Sequence, residues 1–133
     1  MPKLSCWFLK SSLIYFFMGT SIGAFMLIGK GIGYTPFQGM LLQDHIDLLL
    51  IGWVFQFVFG ISFWIFPRTD KKRKYEPLAW LSFFFFNIGV ILSLFSFLSL
   101  LGKSFVILGL LFFLLPIWAR VKGISQIQEN FQK

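Results

Sequence analysis

Polar and charged residues fall in short clusters along this chain, and four long apolar stretches run between them. The stretches cover about 11–32, 41–66, 77–101 and 104–120. A helix needs about 20 apolar residues to cross the hydrocarbon core of a bilayer, and each stretch reaches or approaches that length. Lipid offers no hydrogen bonds, so a crossing segment must satisfy its own backbone, which a helix does. The pattern predicts an all-α fold: an integral membrane four-helix up-and-down bundle, a single domain over residues 1–133, with short connections between antiparallel neighbours. The fourth stretch is the shortest, and is expected to thin the bilayer or extend through Val121 and Lys122. The first stretch, from Leu13, is too long for a signal-peptide core and is read as a retained helix.

Composition sharpens this reading. Apolar residues make up 57% of the chain and charged residues 13%, against about 25% charged in a typical soluble domain. A soluble fold of this size would leave much of that apolar surface bare; lipid accepts it, including the 20 phenylalanines. The net charge of +7 would suggest nucleic acid in a soluble protein. Here the charges sit between apolar runs, so no nucleic-acid partner is inferred. Lys3 and Lys10 precede the first helix, Arg68, Lys71, Lys72, Arg73 and Lys74 follow the second, and Arg120, Lys122 and Lys133 follow the fourth. The positive-inside rule then puts both termini in the cytoplasm, in the inner (cytoplasmic) membrane of a bacterium or archaeon. Trp7, Trp64, Trp80 and Trp118 fall near that same interface, and Pro67 and Pro77 bracket the basic loop. On the outer side, a loop with Gly31, Gly33, Pro36 and Gly39 delivers the chain to the second helix.

His45, the only histidine, lies at the start of that helix. Imidazole is a common ligand for haem iron and other metals, and ionisable groups at membrane depth are functional candidates. It also has a plainer reading: with Asp44 near the N-cap and Asp47 beyond, it can solvate a helix end. At α-helical spacing the face of His45 carries Gly52, Gln56 and Phe63, flanked by Leu48, Leu49 and Phe59. Gly52 leaves a recess that suits a flat porphyrin, or else marks close helix packing. Gln56 lines the same stripe, or else bonds to a neighbouring helix. Asn87 is expected to bond between helices; Ser93, Ser96 and Ser99 form a small-residue stripe; Gly19 and Gly23 mark close helix contact or dimerisation. Pro116 is expected to kink the fourth helix.

Several chemistries drop out. With one histidine and the lone Cys6, a copper or zinc centre within one chain lacks ligands. No acidic residue sits in the middle of a stretch to relay protons or cations. No nucleotide motif or Ser-His-Asp set can be assembled, and no catalytic residue is assigned.

The segment His45-Ile46-Asp47-Leu48-Leu49-Leu50-Ile51-Gly52-Trp53, continuing to Phe59-Gly60 and ending Phe66-Pro67, resembles the second helix of haem-copper oxidase subunit I and of small four-helix relatives of that subunit. Phe85-Phe86-Asn87-Ile88-Gly89 is a weaker echo in the third helix. The resemblance implies that His45 is an axial ligand to haem iron near the outer membrane face, with Gly52 packing against the ring. The chain lacks the further histidines of subunit I, so neither copper nor four-electron oxygen reduction carries over. The resulting expectation is a membrane b-type haem protein that binds or reacts with oxygen or nitric oxide, or transfers electrons from a respiratory donor; if an enzyme, it is an oxidoreductase. A four-helix unit is expected to assemble as a dimer or trimer. Two His45 side chains could then share one haem, or each chain could hold its own with an open site or with Met26 or Met40 opposite, the form favoured here. The alternative is a non-catalytic small subunit or assembly factor of a respiratory complex. A third class, a small-molecule carrier lined by Gln56 and Asn87, lacks a buried charge to support it.

Overall fold

The computed structural model describes residues 1–34, 36–65 and 76–118. Residues 66–75, with Phe66, Pro67 and the basic cluster, and residues 119–133, with Arg120, Lys122 and Lys133, lie outside the described part. Four helices are long and apolar enough to cross a membrane: α1 (Lys3–Gly31), α2 (Gln38–Ile65), α3 (Glu76–Ser93) and α4 (Ser96–Trp118). Among the described residues there is no strand. Large apolar side chains such as Phe17, Leu27, Phe97 and Leu100 stand on the outside, as a lipid-facing surface requires.

The element boundaries differ from the hydrophobic pattern in three places. First, α1 begins at Lys3, eight residues before its apolar run. Its first turns are amphipathic, and Leu4, Ser5 and Phe8 turn inward and are fully buried. Second, the turn between α3 and α4 falls at Leu94 and Phe95, not near Gly102 and Lys103. The run from 77 to 117 contains no break in hydropathy near residue 94, so nothing in the pattern marks that turn. Gly102 instead lies inside the α3–α4 seam, where a Cβ would stand 2.5 Å from the Ser93 nitrogen and 2.7 Å from the Gly89 oxygen. Ser93, Ser96 and Ser99 consequently span the turn and do not form a packing stripe. Third, α2 starts at Gln38 after Phe37, so Asp44 is inside the helix and is not its N-cap.

The end of α1 shows how the chain turns towards α2. Gly33 adopts φ 70°, the Tyr34 N–H donates to the Gly29 carbonyl at 3.0 Å, and the Gly33 N–H donates to that of Lys30 at 3.3 Å. This is a Schellman motif, which satisfies two carbonyls the helix end would otherwise leave bare. The Tyr34 oxygen approaches so closely that a Cβ on Gly29 would meet it at 2.7 Å.

Glycines set the helix contacts. Along the α1–α2 seam, Gly19 faces Leu49, Gly23 faces His45, Gly52 faces Tyr15, and Gly60 faces Phe8 and Leu9. Along the α3–α4 seam, Gly89, Gly102 and Gly109 bring backbones into contact, and the Ser82 hydroxyl donates to the Gly109 carbonyl at 2.6 Å. Apolar helices gain nothing from hydrophobicity inside lipid, so close packing and interhelical hydrogen bonds hold such seams together. The two hairpins are joined by an aromatic cluster near the chain's N-terminal end. Phe59 stacks on Phe113 with centroids 4.1 Å apart, and Phe8 meets Phe83 edge-on at 5.1 Å.

The middle of α2, Asp47–Phe55, is π-helical. Hydrogen bonds from i to i+5 put more residues into each turn. Each residue therefore advances by less than the ~100° of an α-helix, yet His45, Leu49, Gly52 and Gly60 all still face α1 across the segment.

Candidate functional site

His45 leans against the backbone of α1. Its Nδ1 lies 2.8 Å from the main-chain oxygen of Gly19. A carbonyl only accepts, so the proton of the neutral ring sits on Nδ1 and Nε2 keeps its lone pair. No partner engages Nε2 among the described residues. The ring also fills the space above Gly23, where a Cβ would stand 2.7 Å from Cε1 and 3.0 Å from Nδ1. Gly19 and Gly23 are thus the cradle of the histidine, and their spacing of one helical turn serves a contact within the chain.

Beside the imidazole lies a groove of about 490 Å³, open to the outside of the bundle. Its lining includes Thr20, Gly23, Ala24, Met26, Lys30 and Leu42. The Thr20 hydroxyl is already committed to the carbonyls of Phe16 and Phe17, so it adds little polarity. Among the described residues, no group of three or more His, Cys, Asp or Glu converges. The groove therefore offers one uncommitted ring nitrogen in an apolar setting.

The other candidates do not gather around His45. Met26 lines the groove with it, whereas Met40 is exposed elsewhere on α2 and is not part of its wall. Leu49 packs over Gly19. The recess expected at Gly52 is filled by the Tyr15 ring, whose Cγ would lie 2.8 Å from an added Cβ. Gln56 is fully buried in a separate network. Its Nε2 donates to Asn87 Oδ1 at 3.2 Å, and the Tyr15 hydroxyl donates to the same oxygen at 3.0 Å. Asn87 Nδ2 in turn donates to the Phe83 carbonyl at 2.8 Å. His45 and Gln56 part company by depth: eleven residues of α2 separate them, while His45, Leu49, Gly52 and Gly60 all keep to the side that faces α1.

Two buried polar atoms bracket that segment without a hydrogen-bond partner. Asp47, its first residue, accepts from Gln43 Nε2 at 2.9 Å through Oδ1, while Oδ2 has none. Gln56 Oε1, just past its end, likewise has none. Asp47 is 3% exposed, so its carboxyl group is buried.

Sequence reasoning passed over Tyr15, Gln43 and Lys30. A tyrosine in a membrane run needs a partner for its hydroxyl, and Asn87 and Gln56 are the amides at matching depth; that was the available signal for Tyr15. Lys30 stood out only as one of two cations outside the main basic clusters.

No protein-family model, curated protein or solved structure matches this chain.

Proposed function

We propose that this chain is a b-type haem protein of the cytoplasmic membrane, with His45 Nε2 as the axial ligand. The observation that carries the reading is the hydrogen bond from His45 Nδ1 to the Gly19 carbonyl. Ligating histidines are commonly held this way, with the second nitrogen bonded to a carbonyl that fixes tautomer and ring orientation. The residues fit such a group. Ala24 puts only a small side chain on α1 beside the imidazole, the walls are apolar, and Met26 supplies a soft thioether in the same groove. The resemblance of the α2 sequence to haem-copper oxidase subunit I supports the same assignment.

When bound, the haem supplies one-electron chemistry or a coordination site for oxygen or nitric oxide. What this chain's own residues do is narrower. Gly19 holds the proton on Nδ1, Gly23 admits the imidazole, and the apolar walls of the groove would lie against the porphyrin. Because the groove is open to the outside, a second copy of the chain covers the remaining face in this reading, as a dimer or trimer. The clustering of Lys and Arg supports an orientation with His45 towards the outer face, where a respiratory donor would reach it.

Purified protein tests this directly. Wild type is expected to be red with a Soret band, and His45→Ala to lose it. A colourless wild-type protein overturns the proposal. A second reading, a non-catalytic subunit of a respiratory complex, draws on the closure of Tyr15, Gln56 and Asn87 into an internal lock. It expects colourless protein that co-purifies with a larger membrane complex.

A further inference from the structure

Among the described residues, Lys30 is the only charged one lining the groove that holds His45. It stands in the last turn of α1, where a cation suits the helix dipole. That accounts for a positive charge at the helix end but not for its place in the groove wall. Gly23, Met26, Leu27 and Lys30 follow the i, i+3, i+4, i+7 rule, so they form one stripe of α1. Side chains of an α-helix lean towards its N-terminus. The Lys30 stem therefore leans back over Met26 and Leu27, towards the part of the groove where His45 sits. Among the described residues no carboxylate pairs with its ammonium. Asp47, the buried acid near this end, takes its hydrogen bond from Gln43.

We propose that Lys30 binds a carboxylate of the haem, so that the groove selects an amphipathic tetrapyrrole with its acid side chain towards Lys30 and its metal at His45. The inference rests on the haem reading above and adds a second anchor to it. A long lysine stem can lie along the apolar wall, and Lys30 stands in the last turn of α1, near the helix end where a propionate is least costly to hold. The pairing is a charge-assisted hydrogen bond at a partly screened site.

The test titrates haem into full-length protein in detergent, following the Soret band, with free-acid haem and its dimethyl ester. Wild type is expected to bind the free acid about tenfold more tightly than the ester. Lys30→Gln is expected to lose that preference and bind both forms as weakly as wild type binds the ester. Lys30→Arg is expected to keep it. A preference below threefold in wild type overturns the assignment without any variant. So does a Lys30→Gln protein that keeps the wild-type preference. If wild type develops no Soret band with either compound, the haem reading itself falls, and this assignment with it.

Discussion

The imidazole of His45 and the backbone of Gly23 occupy the same contact: a single methyl group on Gly23 would sit 2.7 Å from His45 Cε1. A glycine on one helix thus sets where a histidine on another can stand. The Nδ1 bond to Gly19 sets which nitrogen remains available. Position and protonation of the imidazole both come from α1.

Gly23→Ala should therefore act on the ligand more than on the fold. Overpacking by a methyl group costs about 1–3 kcal/mol when neighbours cannot yield, but here the neighbour is a side chain that can swing away. The expected outcome is a protein of wild-type helix content with most of its Soret absorbance lost. Gly31→Ala is the matched control, since a Cβ there meets nothing within 4 Å. Circular dichroism and the haem-to-protein ratio check both. Equal haem content in the two variants would show that the cradle does not position the ligand.

Much of the fold was legible in the sequence, because four apolar runs between charged clusters admit few alternatives. What could not be read had a common physical cause. Hydropathy reports depth in the membrane and is silent on rotation about a helix axis. Helical spacing leaves Gln56 two readings, a place below His45 or a bond to a neighbouring helix, and the structure has the second, with Asn87 as the partner. Gly19 and Gly23 were recognised as a contact motif, but the pattern could not say whether the partner was another chain or His45. Tyr15 closed the Gly52 recess because a ring on α1 faces it at the same depth.

Asn87 is the hub of the polar network, accepting from both Tyr15 and Gln56 through one oxygen. Asn87→Leu should strand both donors in an apolar interior. Leaving a buried donor unpaired costs about 1–3 kcal/mol, although interhelical hydrogen bonds in membranes average about 0.6 kcal/mol. A loss of about 1–2 kcal/mol in detergent unfolding is expected. Adding Tyr15→Phe and Gln56→Leu should recover part of it, because no orphaned groups then remain. Haem content should change little in either protein, since the network does not line the groove. A triple variant less stable than Asn87→Leu would contradict this account.

The π-helical segment Asp47–Phe55 joins His45 to the deeper half of α2, and both halves face α1. Removing one residue from it should rotate one half against the other by about 100° and break that common face. Leu50 faces outward, at 52% exposure, so deleting it removes little packing of its own. Deletion of Leu50 is expected to abolish the Soret band, whereas Leu50→Ala should keep it. If the deletion retains haem, the register of α2 against α1 does not position His45.

The α3–α4 seam gives the sharpest stability test, because its contacts are backbone to backbone. A Cβ on Gly102 would lie 2.5 Å from the Ser93 nitrogen and 2.9 Å from the Leu92 carbonyl carbon. Neither atom belongs to a flexible side chain, so the helices must separate to admit it. Separation would also pull Gly109 away from Phe86 and strain the Ser82 hydrogen bond to its carbonyl. Gly102→Ala should therefore destabilise the protein by at least about 2 kcal/mol, read as a lower midpoint of thermal unfolding. Gly39→Ala, with open space around the added methyl, should be neutral or slightly stabilising. The comparison also locates the turn: were residue 102 in the connection between helices, alanine there would be tolerated as well as at residue 39.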